Sequence, residues 1–145
     1  MREQIHNINV VAKEKLPSPK ALKSTLPLSK VARNNVLGSR NNLMSILDGK
    51  DQRLVVVVGP CSIHDTELAL DYAHRLKSLA TAVEDQFLIL MRVYFEKPRT
   101  TTGWKGLIND PNIDDSFQID KGVHIARSLL IRLNEMGLGV ATEAL

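Results

Sequence analysis

Between Leu54 and Ala144 the chain alternates between two hydrophobic periods, and this alternation limits the folds open to it. "RLVVVVG" is an unbroken β-branched run, the pattern of a parallel strand buried on both faces. Asp65 stands where a helix N-cap belongs. Ala69, Tyr72, Ala73, Leu76, Leu79, Ala80 and Val83 then recur at helical spacing. "FLILMRV" is a second apolar run. After Asp120, Val123, Ala126, Leu129, Leu130, Leu133 and Met136 fall on one side of a second helix, which Gly137 ends. "GVATEA" opens a third strand. Strand, helix, strand, helix, strand implies an α/β fold with a parallel sheet and right-handed crossovers. An open doubly wound sheet and the start of an eight-stranded barrel both satisfy this order. In either, ligands gather at the C-terminal ends of the strands.

The first 50 residues differ. The short apolar centre Ile8–Val11 predicts an arm or an edge strand. Ser18 followed by Pro19 predicts a short helix, and Ser29 predicts the cap of a longer one ending near Asp48, with Gly49 as its left-handed terminator. The stripe Ala32, Val36, Leu43 and Leu47 needs a surface to pack on, either the main domain or a second subunit. Residues 1–50 are therefore assigned to an N-terminal extension and 51–145 to the main domain.

At 145 residues and 43% hydrophobic, the chain is long enough for a core. A net charge of +3 without a block of like charges does not favour nucleic-acid binding. No apolar run approaches the roughly 20 residues of a bilayer span. "MREQIHNINV" lacks the apolar centre of a secretory signal, and the lone cysteine suits a reducing cytoplasm. The closing "GVATEAL" reads as a strand in mid-course, which predicts a fragment.

The residues with chemistry cluster where the strands end. "GPCSIHD" follows the first strand and presents Cys61, either a buried structural cysteine or a thiolate that serves as nucleophile or soft metal ligand. His64 is a second ligand or, the reading favoured here, a helix-start residue. One cysteine and one histidine cannot close a divalent site. "RVYFEKPRTTTGWKG" follows the second strand. Arg92 at the strand end can grip a carboxylate or phosphate through two parallel hydrogen bonds. Lys97 and Arg99 flank Pro98 and point two cations toward one cleft, while Thr100 and Thr101 add hydroxyls. A solvated charged loop would explain Glu96 and Lys105 but not Arg92, which needs an acceptor. The stretch from Trp104 to Ile119 has no clear periodicity, and so long a loop implies function or ordering by a partner. Glu143, at the end of the third strand, is placed to face the cations, where it would orient a water, hold a lysine, or form a plain salt bridge.

"GPCSIHD", "RVYFEKPRTT" with "GWKGLINDP", and "ATEAL" together resemble the metal-dependent 3-deoxy-D-arabino-heptulosonate 7-phosphate (DAHP) synthases of the first class, from about Ser29 onward. The resemblance implies a (β/α)8 TIM barrel, of which only the first three strands are present, preceded by a helical extension used in assembly and regulation. It implies condensation of phosphoenolpyruvate with erythrose 4-phosphate and release of inorganic phosphate. Position by position, Cys61 is similar to the family's thiolate ligand for a divalent metal of the Mn, Fe, Co or Zn class. Arg92 and Lys97 are similar to the residues that hold phosphoenolpyruvate, with Lys97 also near the reacting centre. Pro98, Arg99 and Thr100 are similar to the aldose-phosphate contacts. Glu143 is similar to a catalytic carboxylate near the attacking water. Feedback control by an aromatic amino acid, with a lean toward tyrosine, and a dimeric or tetrameric homo-oligomer are implied as well.

Thr102 stands where the family commonly has valine, and Gly139 where it often has proline; neither position carries the chemistry. The family's other metal ligands and phosphate-binding cations belong to later strands. Made alone, the chain is therefore predicted to be inactive and poorly soluble. Two other readings compete. One is the related octulosonate phosphate synthase, against which "EKPRTTTGWKG" argues. The other is a non-catalytic truncated module that associates with a full-length synthase.

Overall fold

The structure is a computed structural model and describes residue 10 and residues 13–98 and 101–143. The arm or edge strand expected at Ile8–Val11 lies outside the described residues apart from Val10. Along the chain run α1 (Pro19–Thr25), α2 (Lys30–Leu47), β1 (Leu54–Val58), α3 (Thr66–Ala82), β2 (Phe87–Arg92), α4 (Ile119–Glu135) and β3 (Gly139–Ala141). The strands form a parallel sheet in the order β1-β2-β3, with Leu54 opposite Phe87 and Leu90 opposite Gly139.

Local chemistry sets the helix ends as the sequence predicts. The side chains of Ser18 and Ser29 accept from the amides of Ala21 and Ala32, and Asp65 accepts from those of Glu67 and Leu68. Such caps contribute about 1 kcal/mol each. Gly49 and Gly137 sit at positive φ behind α2 and α4. The start of α4 differs from expectation. It begins at Ile119 behind Gln118, without a side-chain cap, and Asp120 lies in its first turn.

α3 and α4 cover one face of the sheet. Ala69, Leu70, Ala73 and Leu76 of α3 and Ala126, Leu129 and Leu133 of α4 close over Met91 and Val93 in a single core. Burial of each large side chain contributes about 1.5–3 kcal/mol. α2 packs on α4, β3 and β1. Asn35 Nδ2 donates to Asn134 Oδ1 at 2.9 Å and to the Leu138 carbonyl at 3.1 Å. Ser39 lies where a Cβ on Gly139 would come within 2.6 Å of its Oγ. α2 is thus fastened near the N-terminal ends of the strands.

Two burial expectations fail. β1 is not covered on both faces: Leu54 is 65% exposed, and Val57 and Val58 are exposed too. β1 is one of the two edge strands, paired with β2 alone among the described residues, and α3 and α4 pack on β2 and β3 rather than on β1. In α2, Ala32 is buried and Val36 and Leu43 are half-buried, but Leu47, in the last turn, is 75% exposed.

Candidate active site

Parallel strands place their C-terminal ends on one rim, and the residues singled out in the sequence lie along it. Gly59 carries the chain away from β1 tightly against β2. A Cβ there would stand 2.3 Å from the Arg92 carbonyl oxygen and 3.0 Å from the Arg92 Cβ. This close approach brings Pro60 and Cys61 to the exit of β2. In this chain Cys61 is exposed at the rim.

Lys97 Nζ donates to Cys61 Sγ at 3.0 Å. That hydrogen bond, and then the charge of the ammonium, hold the Cys61 thiol below its ordinary pKa. Burial opposes the shift weakly, and the Arg92 guanidinium adds to it. Arg92 ends β2 and pairs with Ala141 of β3. Its guanidinium lies 3.9 Å from the centre of the Tyr94 ring, and Nη1 donates to the Pro60 carbonyl at 3.3 Å. Part of the acceptor demand of this strand-end arginine is thus met by the loop that also carries Cys61, and the stacking fixes the guanidinium plane. Cys61, Arg92 and Lys97 are brought together from two strand exits.

Glu143 is on the same rim with different partners from those expected. Its Oε1 accepts the amides of Phe95 and Glu96, each at 2.7 Å, and its Oε2 accepts the Thr142 hydroxyl at 2.8 Å. Among the described residues it forms no ion pair. Burial pushes its pKa up, but the hydrogen bonds from its own amide, Phe95, Thr142 and Glu96 outweigh burial, and the net shift is downward. Glu96 moves the other way. Burial raises it first and the Glu143 charge second, against a hydrogen bond from Asn109 Nδ2.

The segment after the rim is ordered from within. The Lys97 amide donates to the Lys105 carbonyl at 3.1 Å and the Leu107 amide to the Phe95 carbonyl at 2.7 Å, around an antiparallel bridge between Glu96 and Gly106. Trp104 Nε1 donates to the Asp110 carbonyl at 2.7 Å. The Asp110 side chain, 1% exposed, accepts the amides of Asp114 and Asp115 at 3.3 and 3.2 Å. These contacts order the loop from within its own residues. Tyr94, Asn109 and Asp110 were not singled out from the sequence. "ND" beside a proline was the available signal for a side chain that organises a turn.

Pro98 follows Lys97 on the rim, and Arg99 and Thr100 lie outside the described residues. Thr101 and His64 are exposed, and Asp65 caps α3 in place of His64. Among the described residues, no three His, Cys, Asp or Glu side chains assemble into a metal-holding group. Cys61 fits one ligand position, because its exposed sulfur leans toward the thiolate that divalent metals require.

Residues 23–145 match the DAHP synthetase I family. The chain is 51% identical over 144 residues to the Tyr-sensitive phospho-2-dehydro-3-deoxyheptonate aldolase of Escherichia coli strain K12, covering 99% of this chain and 40% of that protein. It is 54% identical over 133 residues to the Phe-sensitive aldolase of the same strain, covering 92% of this chain and 38% of that one. The structure of phospho-2-dehydro-3-deoxyheptonate aldolase from Francisella tularensis SCHU S4 matches with a TM-score of 0.90 at 48% identity. That match covers 94% of this chain and 40% of the solved chain. The chain therefore spans about 40% of the length of these relatives. With the rim described above and the match over residues 23–145, the chain belongs to the DAHP synthetase I family.

Proposed function

We propose that the chain supplies the first three strands of a (β/α)8 barrel and the two helices between them, with residues 1–50 serving assembly and regulation. The complete protein would be a cytoplasmic transferase that condenses phosphoenolpyruvate with erythrose 4-phosphate and water. Its products would be DAHP and inorganic phosphate, at the first step of the shikimate pathway. The enol carbon attacks the aldehyde carbon, whose oxygen takes up a proton; water adds to the cationic carbon left behind, and the bond from that carbon to the phosphate oxygen breaks, releasing inorganic phosphate and leaving a ketone.

Arg92 and Lys97 would hold the carboxylate and phosphate of phosphoenolpyruvate, with Lys97 beside the reacting carbon. Pro98, Arg99 and Thr100 would contact the aldose phosphate. Cys61 would hold a divalent metal, which when bound supplies Lewis-acid polarisation of the aldehyde oxygen. Both substrates are anionic, so a mouth lined by fixed cations offsets their mutual repulsion before the bond forms. The observation that carries this reading is the meeting of Cys61 and Lys97 at 3.0 Å beside Arg92, on the rim where α/β folds bind ligands. Relatives are named Tyr-, Phe- and Trp-sensitive. The 51% identity to the Tyr-sensitive enzyme over 99% of the chain supports tyrosine as the feedback inhibitor of a homo-oligomer.

The test is turnover by the complete protein with a divalent metal, offered erythrose 4-phosphate or the five-carbon aldose phosphate of the octulosonate reaction. The proposal expects consumption of phosphoenolpyruvate with erythrose 4-phosphate, and its near-complete loss in Cys61→Ser. Preference for the five-carbon sugar, or full activity in Cys61→Ser, would overturn it.

A further inference from the structure

We infer that Tyr94 is a positioning residue, whose ring holds the guanidinium of Arg92 in place for an anionic substrate. The inference rests on the proposal that Arg92 grips phosphoenolpyruvate at this rim. The backbone of Arg92 is already fixed. It pairs with Ala141, and Gly59 passes so close that a Cβ there would meet the Arg92 carbonyl oxygen at 2.3 Å. The side chain is not fixed by these contacts. Several torsions separate Cα from the guanidinium, and their freedom is lost when the group grips an anion. A contact that orders them beforehand therefore raises affinity. Successive side chains of extended backbone point to opposite sides. Val93 and Phe95 are buried in the core with α3 and α4, while Arg92 and Tyr94 lie half-buried on the other side. This alternation sets the ring beside the guanidinium, whose Cζ lies over it at 3.9 Å from the centroid. The ring is itself anchored: the Tyr94 carbonyl accepts the amide of the buried Ile63 at 2.7 Å. The same loop supplies the Pro60 carbonyl, to which Arg92 Nη1 donates at 3.3 Å.

The kind of partner matters. A structural carboxylate would order the guanidinium by filling its fork and cancelling its charge. An aromatic ring takes up a face instead and leaves the N–H edge for acceptors in the plane. Pro60 uses one of the N–H donors, and most of the others remain. Among the described residues Arg92 forms no ion pair. Its charge is thus ordered without being neutralised, as a carboxylate- or phosphate-binding group requires. The contact is made through the ring face, so it does not depend on the phenol hydroxyl.

The test is a mutant cycle in the complete protein, read by calorimetric titration of phosphoenolpyruvate. Tyr94→Leu and Tyr94→Phe are made alone, and Tyr94→Leu is also combined with Arg92→Gln. Tyr94→Leu keeps apolar bulk without a π face and should weaken binding about fivefold. Tyr94→Phe restores the face without the hydroxyl and should recover binding to within about twofold of the parent. On top of Arg92→Gln, Tyr94→Leu should cost less than about twofold, because the ring acts through the arginine. Parent-like binding in Tyr94→Leu would overturn the inference. So would a loss in Tyr94→Phe equal to that in Tyr94→Leu, or the same loss from Tyr94→Leu with and without Arg92. NMR relaxation of the Arg92 Nε–H group gives a second reading that needs no substrate. An order parameter of about 0.6 or more in the parent supports the inference, and a lower one overturns it. If Tyr94→Leu does not fold, Tyr94→Phe binding and that order parameter decide. Failure of the parent to bind phosphoenolpyruvate, or parent-like binding in Arg92→Gln, would sink the proposed function, while the relaxation measurement would still report on the ring.

Discussion

Replacing Gly106 by alanine should damage the rim more than its distance from Cys61 suggests. Gly106 has a φ of +104°, and a Cβ there would lie 2.2 Å from the Phe95 carbonyl oxygen, 2.7 Å from the Glu96 Cα and 2.9 Å from the Lys97 amide nitrogen. All three are backbone atoms, so no side chain can swing away to make room. An L residue in such a conformation costs about 1–3 kcal/mol. Relieving the contact requires the two backbone segments to separate by about 1 Å, the difference between 2.2 Å and ordinary contact. That movement breaks the hydrogen bonds from the Lys97 amide to Lys105 and from the Leu107 amide to Phe95, at about 1 kcal/mol each. The sum is a destabilisation of about 3–5 kcal/mol. Urea unfolding of the complete protein measures it, and alkylation of Cys61 reports whether Lys97 has moved. A Gly106→Ala variant within about 0.5 kcal/mol of the parent, with Cys61 alkylated at the parent rate, would refute the reasoning.

Lys97→Met should raise the Cys61 pKa, so the midpoint of its iodoacetamide rate profile moves to higher pH; an unmoved midpoint would deny the 3.0 Å pair in solution. The sign for stability follows from the same shift. A thiol held below its ordinary value contributes stability that is present above the unfolded pKa and fades as pH falls through the folded one. Asp110→Ala leaves the amides of Asp114 and Asp115 without their acceptor and should cost about 2–3 kcal/mol, with protease cutting between residues 110 and 118 as the readout. Asn35→Ala removes both side-chain bonds between α2 and the α4–β3 corner and should cost about 1–2 kcal/mol by thermal unfolding; no change would mean that α2 is held by apolar contact alone.

The strands, the two helices between them and three helix caps were legible because each is written locally. A β-branched run, a 3.6-residue stripe, and a serine or aspartate at the first turn need no distant partner to be read. Cys61, Arg92 and Lys97 were placed on one rim by topology alone, since parallel strands end on the same side. What covers an element is not local. "LVVVV" has the composition of a doubly buried strand, yet β1 is an edge strand that α3 and α4 leave uncovered, and it exposes Leu54 and Val57. Leu47 fits the stripe of α2 but lies in its last turn, exposed. The partners of Glu143 were missed for a related reason: charge pattern suggests cations, whereas unpaired amides beyond a strand end leave no mark in side-chain identity. The segment after Trp104 also defeated periodicity. Ile113, Asp115 and Phe117 adopt positive φ without being glycine, the first two in turns built around Asp110.

The central claim is that the cations at this rim exist to hold an anionic substrate, and direct titration of phosphoenolpyruvate into the complete protein tests it. Arg92→Gln should weaken binding about tenfold or more. Arg75→Gln, which removes only an exposed ion pair with Asp71 on α3, should bind like the parent. If Arg92→Gln binds phosphoenolpyruvate as tightly as the parent and Arg75→Gln do, the mouth described here is not where that substrate is held.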